Sequence, residues 1–150
     1  MHADVWMNTA PDTVVDLVTA AGTDHVRLVY DYLDAGDLDA CGSLLHDRVE
    51  LELPGVPTAR GRTAVLHAHR DHNGSHTRHE IDRVVARDRS IVAAGRRVTS
   101  GKEDLSLRFV DFFRIAGDGM VESCTPYYHA EPGGPGGKSW RTAGFPPPSC

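Results

Sequence analysis

The sequence is poor in cysteine and lacks a clustered basic face, and each shortage excludes a class of protein. Its three cysteines, Cys41, Cys124 and Cys150, are widely spaced and form no CxxC pair. This spacing argues against a disulfide framework or a zinc ribbon and favours a reducing compartment. The formal net charge is −5. Because phosphate binding needs clustered Lys and Arg, we expect no nucleic-acid partner.

Long hydrophobic runs are also missing. No stretch approaches about 18 consecutive apolar residues, so we expect no membrane-spanning segment. The first twelve residues lack the basic start and apolar run of a signal peptide, so we expect a cytoplasmic protein. The chain has 150 residues, enough for one domain with a substantial core.

The first half of the chain has helical periodicity. Apolar residues within 14–21 are interrupted by Gly22, and a second apolar stripe then follows at helical spacing: Val26, Val29, Tyr30 and Leu33. This pattern predicts a short helix before Gly22 and three further helices, over residues 24–35, 37–46 and 62–73.

The pattern then changes to a period of two, which is typical of strands. Residues 48–53 alternate polar and apolar side chains. Four longer strands are predicted at about 76–87, 90–99, 104–115 and 120–130. Helices at one end and antiparallel strands at the other imply an α+β fold. A curved sheet wrapped around the helices would form a cone, whose hollow suits a pocket.

The predicted organisation has three parts. Residues 1–22 form an N-terminal arm and a short helix, and residues 23–130 form the α+β cone domain. Residues 131–150 are half Gly and Pro, a composition that predicts a flexible tail.

Two stretches carry a family resemblance. Residues 30–39, YDYLDAGDLD, place an aromatic and an acid before Gly-Asp-Leu-Asp, and residues 77–81, TRHEI, begin the first long strand. Gly61-Arg62 and the strand end DFFRI at 111–115 fit the same pattern. Together they resemble the nuclear transport factor 2-like superfamily and, within it, the SnoaL-like group. The resemblance implies a curved, antiparallel or mixed sheet around three to four N-terminal helices.

The resemblance also implies a function. SnoaL-like members suggest an enzyme without a cofactor or metal, a lyase, cyclase or isomerase. It would catalyse cyclisation, dehydration or epoxide opening of a polyketide-like or other apolar secondary-metabolite intermediate. Two alternatives stay open. One is a non-catalytic ligand-binding or assembly subunit, like the small subunits of ring-hydroxylating dioxygenases. The other is an epoxide hydrolase or an isomerase.

Asp34 and His79 are the first candidate catalytic residues. Asp34 falls on the apolar stripe of its helix, where a carboxylate needs a partner. The two residues resemble the acid and the histidine that scytalone dehydratase-like members pair in the pocket, where imidazole carries a proton. Those relatives have a second histidine one strand later, which residues 96–101 lack. The alternatives are a helix-end acid and a satisfied interior histidine.

Asp111 and Tyr30 are the other two candidate catalytic residues. Asp111 shares one predicted strand face with large apolar residues: Leu105, Leu107, Phe109 and Phe113. Burial there would raise the pKa of its carboxyl and make it a hydrogen-bond donor or general acid, unless a β-bulge turns it outward. It resembles the strand acid of ketosteroid isomerase-like members. Tyr30 shares the stripe of Asp34 and would donate a hydrogen bond to a substrate oxygen.

Four residues are predicted to contact the substrate: Leu53, Phe109, Phe113 and Tyr127. Leu53 stands where the isomerase-like members carry their base, which argues against steroid-type isomerisation. Pro126 stands near the position where epoxide hydrolases of this fold carry an acid, which argues against that activity.

Two further expectations concern metal and partners. Five histidines lie within thirteen residues: His67, His69, His72, His76 and His79. No Cys or carboxylate has ligand-like spacing on the same face, so we interpret the cluster as a polar helix face plus one interior histidine. Val110 and Phe112 on the convex sheet face predict a homodimer.

Overall fold

Residues 13–74, 76–101 and 105–129 are described by a computed structural model, and this part of the chain contains three helices and six strands. The helices are α1 (Val14–Ala35), α2 (Leu38–Gly42) and α3 (Arg62–Asn73). The strands are β1 (Leu45–Leu51), β2 (Ala59–Arg60), β3 (Thr77–Arg87), β4 (Ser90–Thr99), β5 (Leu105–Ile115) and β6 (Val121–His129). Most of the predicted arm and all of the predicted tail, residues 131–150, lie outside the described residues.

Helix α1 is continuous where the sequence predicted two helices. Thr13 caps its start, because the Thr13 hydroxyl accepts the Asp16 backbone N–H at 3.1 Å, and Gly36 ends it with φ 70°. A Cβ atom at Gly22 would lie 2.6 Å from Cγ1 of Ile115. Gly22 therefore allows α1 to pack closely on β5 and does not break the helix. The predicted helix boundary at Gly22 is wrong, and the segment boundary after residue 22 falls inside α1.

The second predicted helix is shorter than expected. Helix α2 ends at Gly42, and β1 begins at Leu45 instead of residue 48. The Val121 backbone N–H donates to the Leu44 carbonyl at 2.9 Å, which starts the pairing of β1 with β6. The short strand β2, which we did not predict, pairs with β1.

The six strands form one mixed sheet in the order β2-β1-β6-β5-β4-β3. Strand β1 runs parallel to β6, and the other neighbours are antiparallel. The four long strands begin and end within one residue of their predicted bounds. The predicted α+β cone is confirmed, with a mixed sheet and helices gathered in the N-terminal half.

The core lies between α1 and the concave face of the sheet. The largest fully buried side chains are Leu45, Leu51, Ile91, Ile115, Val26, Val29, Val49, Val65 and Val121. Burial of each such side chain contributes roughly 1.5–3 kcal/mol to folding. None of the helices in the described part of the chain has the length and hydropathy to cross a bilayer.

The convex face of the sheet carries an exposed aromatic pair. Phe112 and Tyr127 are 49% and 58% exposed, with ring centroids 5.6 Å apart at a near-perpendicular angle. Val110, which we expected beside Phe112, is half-buried. The homodimer through this face stays a prediction.

Candidate active site

Strand register determines which side chains line the concave face. Residues that stand opposite each other in neighbouring strands project to the same side of a sheet. His79 of β3 is opposite Arg97 of β4, and Asp111 of β5 is opposite Pro126 of β6. Asp111 is 7% exposed, so its face is the inner one. The shift in the β5–β6 register lies beyond it, at Arg114/Ile115, and Asp111 therefore points inward as predicted.

Asp34 and His79 form a two-point contact. Oδ1 of Asp34 lies 2.6 Å from Nδ1 of His79, and Oδ2 accepts the His79 backbone N–H at 2.8 Å. The His79 side chain is 7% exposed and that of Asp34 is 24% exposed. Because a carboxylate only accepts hydrogen bonds, the pairing places a proton on Nδ1 and leaves Nε2 of a neutral imidazole as the acceptor.

Tyr30 and Asp111 form a second pair. The Tyr30 hydroxyl donates to Oδ2 of Asp111 at 2.6 Å. Oδ1 is buried and has no hydrogen-bond partner among the described residues. Burial raises the pKa of Asp111 to about 6, against the hydrogen bond from Tyr30 and the electrostatic effects of protonated His79 and of Arg97. Burial and the Asp111 charge raise the pKa of Tyr30 well above its usual value, so the phenol keeps its proton.

Aromatic rings join the two pairs. The centroids of the Tyr30 and His79 rings are 5.1 Å apart, and Phe109 packs edge-on against His79 at 5.6 Å. Phe113 packs edge-on against Tyr30 at 5.8 Å. The apolar rings limit solvation of both pairs and strengthen the electrostatic interactions between them. Phe109 and Phe113 therefore lie on the predicted inner face of the sheet, and their contact with the substrate stays a prediction.

Of the two other predicted substrate contacts, Tyr127 lies on the opposite face of the sheet, and the contact with Leu53 stays a prediction. Leu53 follows β1 and packs, half-buried, against the edge of the core. Tyr127 lies on the convex face beside Phe112, so the prediction that it lines the pocket is wrong. Its neighbour Tyr128 is opposite the inward-facing Phe109 and occupies the concave face instead. A shift of one residue along a strand reverses the face, which accounts for the error.

Helix α3 contributes two histidines that the sequence did not predict in the interior. His69 and His72 are both half-buried, and Nε2 of His72 lies 2.6 Å from the Tyr128 hydroxyl. Burial, followed by neighbouring positive charges, lowers the pKa of each imidazole to about 4. The prediction of one interior histidine is therefore wrong. The helical spacing i, i+4, i+7 places His69 and His72 on the same face of α3 as the buried Val65. This periodicity could have predicted that both histidines face the interior.

Arg97 is a further polar group of the concave face that the sequence did not predict. Its side chain is half-buried and Nη2 donates to the His72 carbonyl at the end of α3. The alternation of β4 could have predicted this inward position, because the residues at every second position before Arg97 are buried: Ile91, Ala93 and Gly95.

The remaining chemistry-bearing groups include one on the same inner face, Cys124, which stands opposite Phe113 and whose pKa is raised by burial and by the charge of Asp111. Cys41 and Cys124 are buried thiols without a disulfide, and burial raises the pKa of Cys41 to about 11. His67 and His76 are exposed. No group of three His, Cys, Asp or Glu side chains within residues 13–74, 76–101 and 105–129 has the arrangement of a metal site.

The fold is shared with several solved structures. A candidate ketosteroid isomerase from Kribbella flavida is 25% identical with a TM-score of 0.66, covering 79% of this chain and 85% of that one. A candidate polyketide cyclase from Xanthomonas campestris is 22% identical with a TM-score of 0.62, covering 75% and 93%. SalBIII, an epoxide hydrolase/cyclase-like enzyme of pyran ring formation in the polyether salinomycin, is 17% identical with a TM-score of 0.64, covering 72% and 90%.

A family comparison of the sequence agrees with this fold, although no curated protein sequence matches the chain. The sequence profile of the SnoaL-like domain matches residues 26–123, a span that contains Tyr30, Asp34, His79 and Asp111. This match covers more than half of the 150 residues and includes every strand of the sheet in whole or in part. The chain therefore belongs to the SnoaL-like domain family, within the nuclear transport factor 2-like fold.

Proposed function

We propose that this protein is an acid–base enzyme that catalyses cyclisation or dehydration of a small, apolar, oxygen-bearing secondary-metabolite intermediate. One observation carries the proposal: two hydrogen-bonded pairs, Asp34–His79 and Tyr30–Asp111, meet between aromatic rings inside the cone. Each pair combines a carboxyl group with a side chain that can hold or move a proton. Such a combination is suited to proton transfer at a carbon or oxygen of a neutral substrate.

His79 serves as the general base. Asp34 fixes the ring orientation and stabilises the imidazolium that forms when Nε2 takes a proton. This is the positioning role that a carboxylate has beside a catalytic imidazole in other acid–base enzymes. Phe109 packs against the ring and limits its rotation.

Asp111 serves as the general acid. Because the Tyr30 hydroxyl donates to Oδ2, the proton of a neutral Asp111 carboxyl is held on Oδ1, the buried oxygen without a described partner. With a pKa of about 6, the group exchanges its proton near neutral pH. It donates to the substrate oxygen that gains charge while His79 removes a proton elsewhere.

Two positions favour cyclisation or dehydration over isomerisation or epoxide opening. The isomerase-type base would fall at Leu53, which carries no proton acceptor and lies at the edge of the core. The residue of β6 opposite Asp111 is Pro126, so that strand supplies no second carboxyl at this level for opening an epoxide. Membership of the SnoaL-like family and the fold shared with a candidate polyketide cyclase support the assignment.

The test is turnover by single variants of the two pairs. Purified protein is incubated with a panel of β-hydroxy ketones, poly-β-carbonyl compounds and epoxides, in ordinary and deuterated water. Mass spectrometry separates loss of water, gain of water and unchanged mass, and deuterium uptake reports proton transfer at carbon. We expect His79→Gln and Asp111→Asn each to lower kcat by about 10²–10⁴ for whichever substrate reacts.

Matched controls separate a catalytic role from a general loss of structure. His67→Gln changes an exposed histidine of α3, and Asp31→Asn changes an exposed acid of α1. Both should keep wild-type turnover. If the His79 and Asp111 variants turn over substrate as fast as these controls, the proposed mechanism is wrong.

A further inference from the structure

Arg97 places a cation on the inner face of the cone without a carboxylate partner. Its Nη2 donates to the His72 carbonyl, while Nε is buried and donates to no residue that the structure describes. None of the ion pairs among the described residues includes it. A partly buried charge without an ion-pair partner is costly, because attraction to more distant groups such as Asp111 offsets only part of the desolvation.

The neighbouring arginine shows the contrast. Arg96 projects to the opposite side of β4, is exposed, and pairs with Glu80 at 3.3 Å. Arg97 is instead half-buried in the protein interior, and this burial lowers its pKa. Its guanidinium nevertheless stays protonated, because the pKa of arginine is so high.

The surroundings of Arg97 are mostly neutral at physiological pH. His72 has a pKa of about 4 and is uncharged, and burial together with the Asp111 charge raises the pKa of Tyr128. The charge of Asp111, on the same face, acts on Arg97, but Asp111 lies four residues along β5 from Leu107, the residue opposite Arg97, and forms no ion pair with it. The guanidinium therefore presents a net positive charge to the interior, across from His79 in the β3–β4 register.

We propose that Arg97 binds an acidic oxygen group of the substrate, a carboxylate or an ionised enol, on an otherwise apolar molecule. The anionic end lies against the guanidinium beside His72 and Tyr128, and the reacting part of the molecule lies between His79 and Asp111. This inference rests on the proposed function only in taking the inner face as the substrate site. Arg97 is a binding residue here, and no covalent step passes through it.

The alternative is that Arg97 only caps the carbonyl end of α3 through His72. A glutamine at position 97 retains an N–H donor for that carbonyl and loses the charge, so Arg97→Gln separates the two roles. The probe is 2-naphthoate, compared with its methyl ester and with 2-naphthylmethanol, and binding is measured by isothermal titration calorimetry. We expect wild type to bind the carboxylate about 10- to 100-fold more tightly than either neutral compound.

Arg97→Gln should remove this preference, while the matched variant Arg96→Gln should keep it. Equal affinity for the carboxylate and the ester in wild type, no carboxylate binding, or an unchanged preference in Arg97→Gln would each overturn the inference. If Arg97→Gln does not fold, Arg97→Met takes its place, and an unchanged preference in that variant overturns the inference equally. Because the readout is binding, a preference that depends on Arg97 stands even if turnover proves independent of His79 and Asp111.

Discussion

Asp34 holds both the backbone N–H and the imidazole of His79, and so joins the last turn of α1 to the start of β3. The contact fixes the distance between helix and sheet at the rim of the cone. It also determines the ring orientation of the proposed base. The same carboxylate therefore has a structural and a chemical role, and the two are separable by experiment.

Removal of the Asp34 carboxylate should lower the free energy of unfolding. Asp34→Ala leaves the His79 backbone N–H and Nδ1 without their acceptor, and we expect a loss of about 1–3 kcal/mol in the free energy of unfolding. Urea unfolding followed by circular dichroism measures it. Asp31→Ala, at an exposed position of the same helix, should change the value by less than about 0.5 kcal/mol. Equal effects of the two substitutions would contradict the two-point contact.

Asp111 should make stability fall as pH rises. Its pKa is raised from 3.8 to about 6 in the folded protein, so between these values the folded state holds a proton that the unfolded state has released. Stability from this group is therefore greatest below about pH 4, declines through pH 6 and is level above it. The shift corresponds to about 3 kcal/mol in all.

The comparison with Asp111→Asn isolates this effect from the other carboxyl groups. The amide still accepts the Tyr30 hydrogen bond but does not titrate. Urea unfolding at several pH values between 4 and 8 should show the variant gaining stability relative to wild type as pH rises. A constant difference across this range would show that Asp111 is not desolvated as the structure describes.

Much of this site is predictable from local periodicity. Alternation along residues 105–115 was sufficient to place Asp111 inside, and helical spacing placed Tyr30 and Asp34 on one face of α1. The family resemblance added the pairing of Asp34 with His79. Each of these inferences needs only neighbouring residues or a short motif.

The remaining features depend on contacts between distant parts of the chain. Whether Tyr127 or Tyr128 faces inward is decided by the register of β6 against β5, which no local pattern determines. The position of Arg97 near His72 depends on how α3 packs across the end of the sheet. For these residues the sequence identifies candidates, and the tertiary structure decides between them.

The hydrogen bond from Tyr30 should lower the pKa of Asp111. The hydrogen bond to Oδ2 favours the ionised form and so lowers the pKa of Asp111 against the larger effect of burial. Tyr30→Phe should therefore raise the pKa of Asp111 above its value of about 6. A ¹³C NMR titration of aspartate carboxyl groups measures it, with the Asp111 resonance assigned from its absence in Asp111→Asn. Tyr32→Phe, two residues along α1, should leave that pKa unchanged; a lower value in Tyr30→Phe would contradict the contact.

The convex aromatic pair should lie in a dimer interface. Phe112 and Tyr127 expose large apolar surfaces side by side, and we expect a second copy of the chain to cover them. Phe112→Lys would place a charge in that interface and convert the dimer into a monomer. Size-exclusion chromatography with light scattering at micromolar concentration reports the mass. Val56→Lys, at an exposed loop position, is the control, and a monomeric wild type contradicts the expectation.

Gly22 should be intolerant of even one added methyl group. Alanine ordinarily stabilises a helix interior by about 1 kcal/mol relative to glycine. Here its Cβ would lie 2.6 and 2.8 Å from Cγ1 and Cγ2 of Ile115, a fully buried residue that cannot move aside freely. Overpacking of this kind costs about 1–3 kcal/mol, so Gly22→Ala should lower the free energy of unfolding despite the better helix propensity.

A double-mutant cycle tests whether overpacking against Ile115 causes the loss of stability in Gly22→Ala. Ile115→Ala removes both Cγ atoms, and in that background Gly22→Ala should become neutral or stabilising, because only the helix propensity remains. Urea unfolding of the four proteins gives the coupling energy between the two sites. If Gly22→Ala stabilises the protein with Ile115 intact, α1 does not approach β5 closely at this point. Close packing on Ile115 would then not be the reason for glycine at position 22.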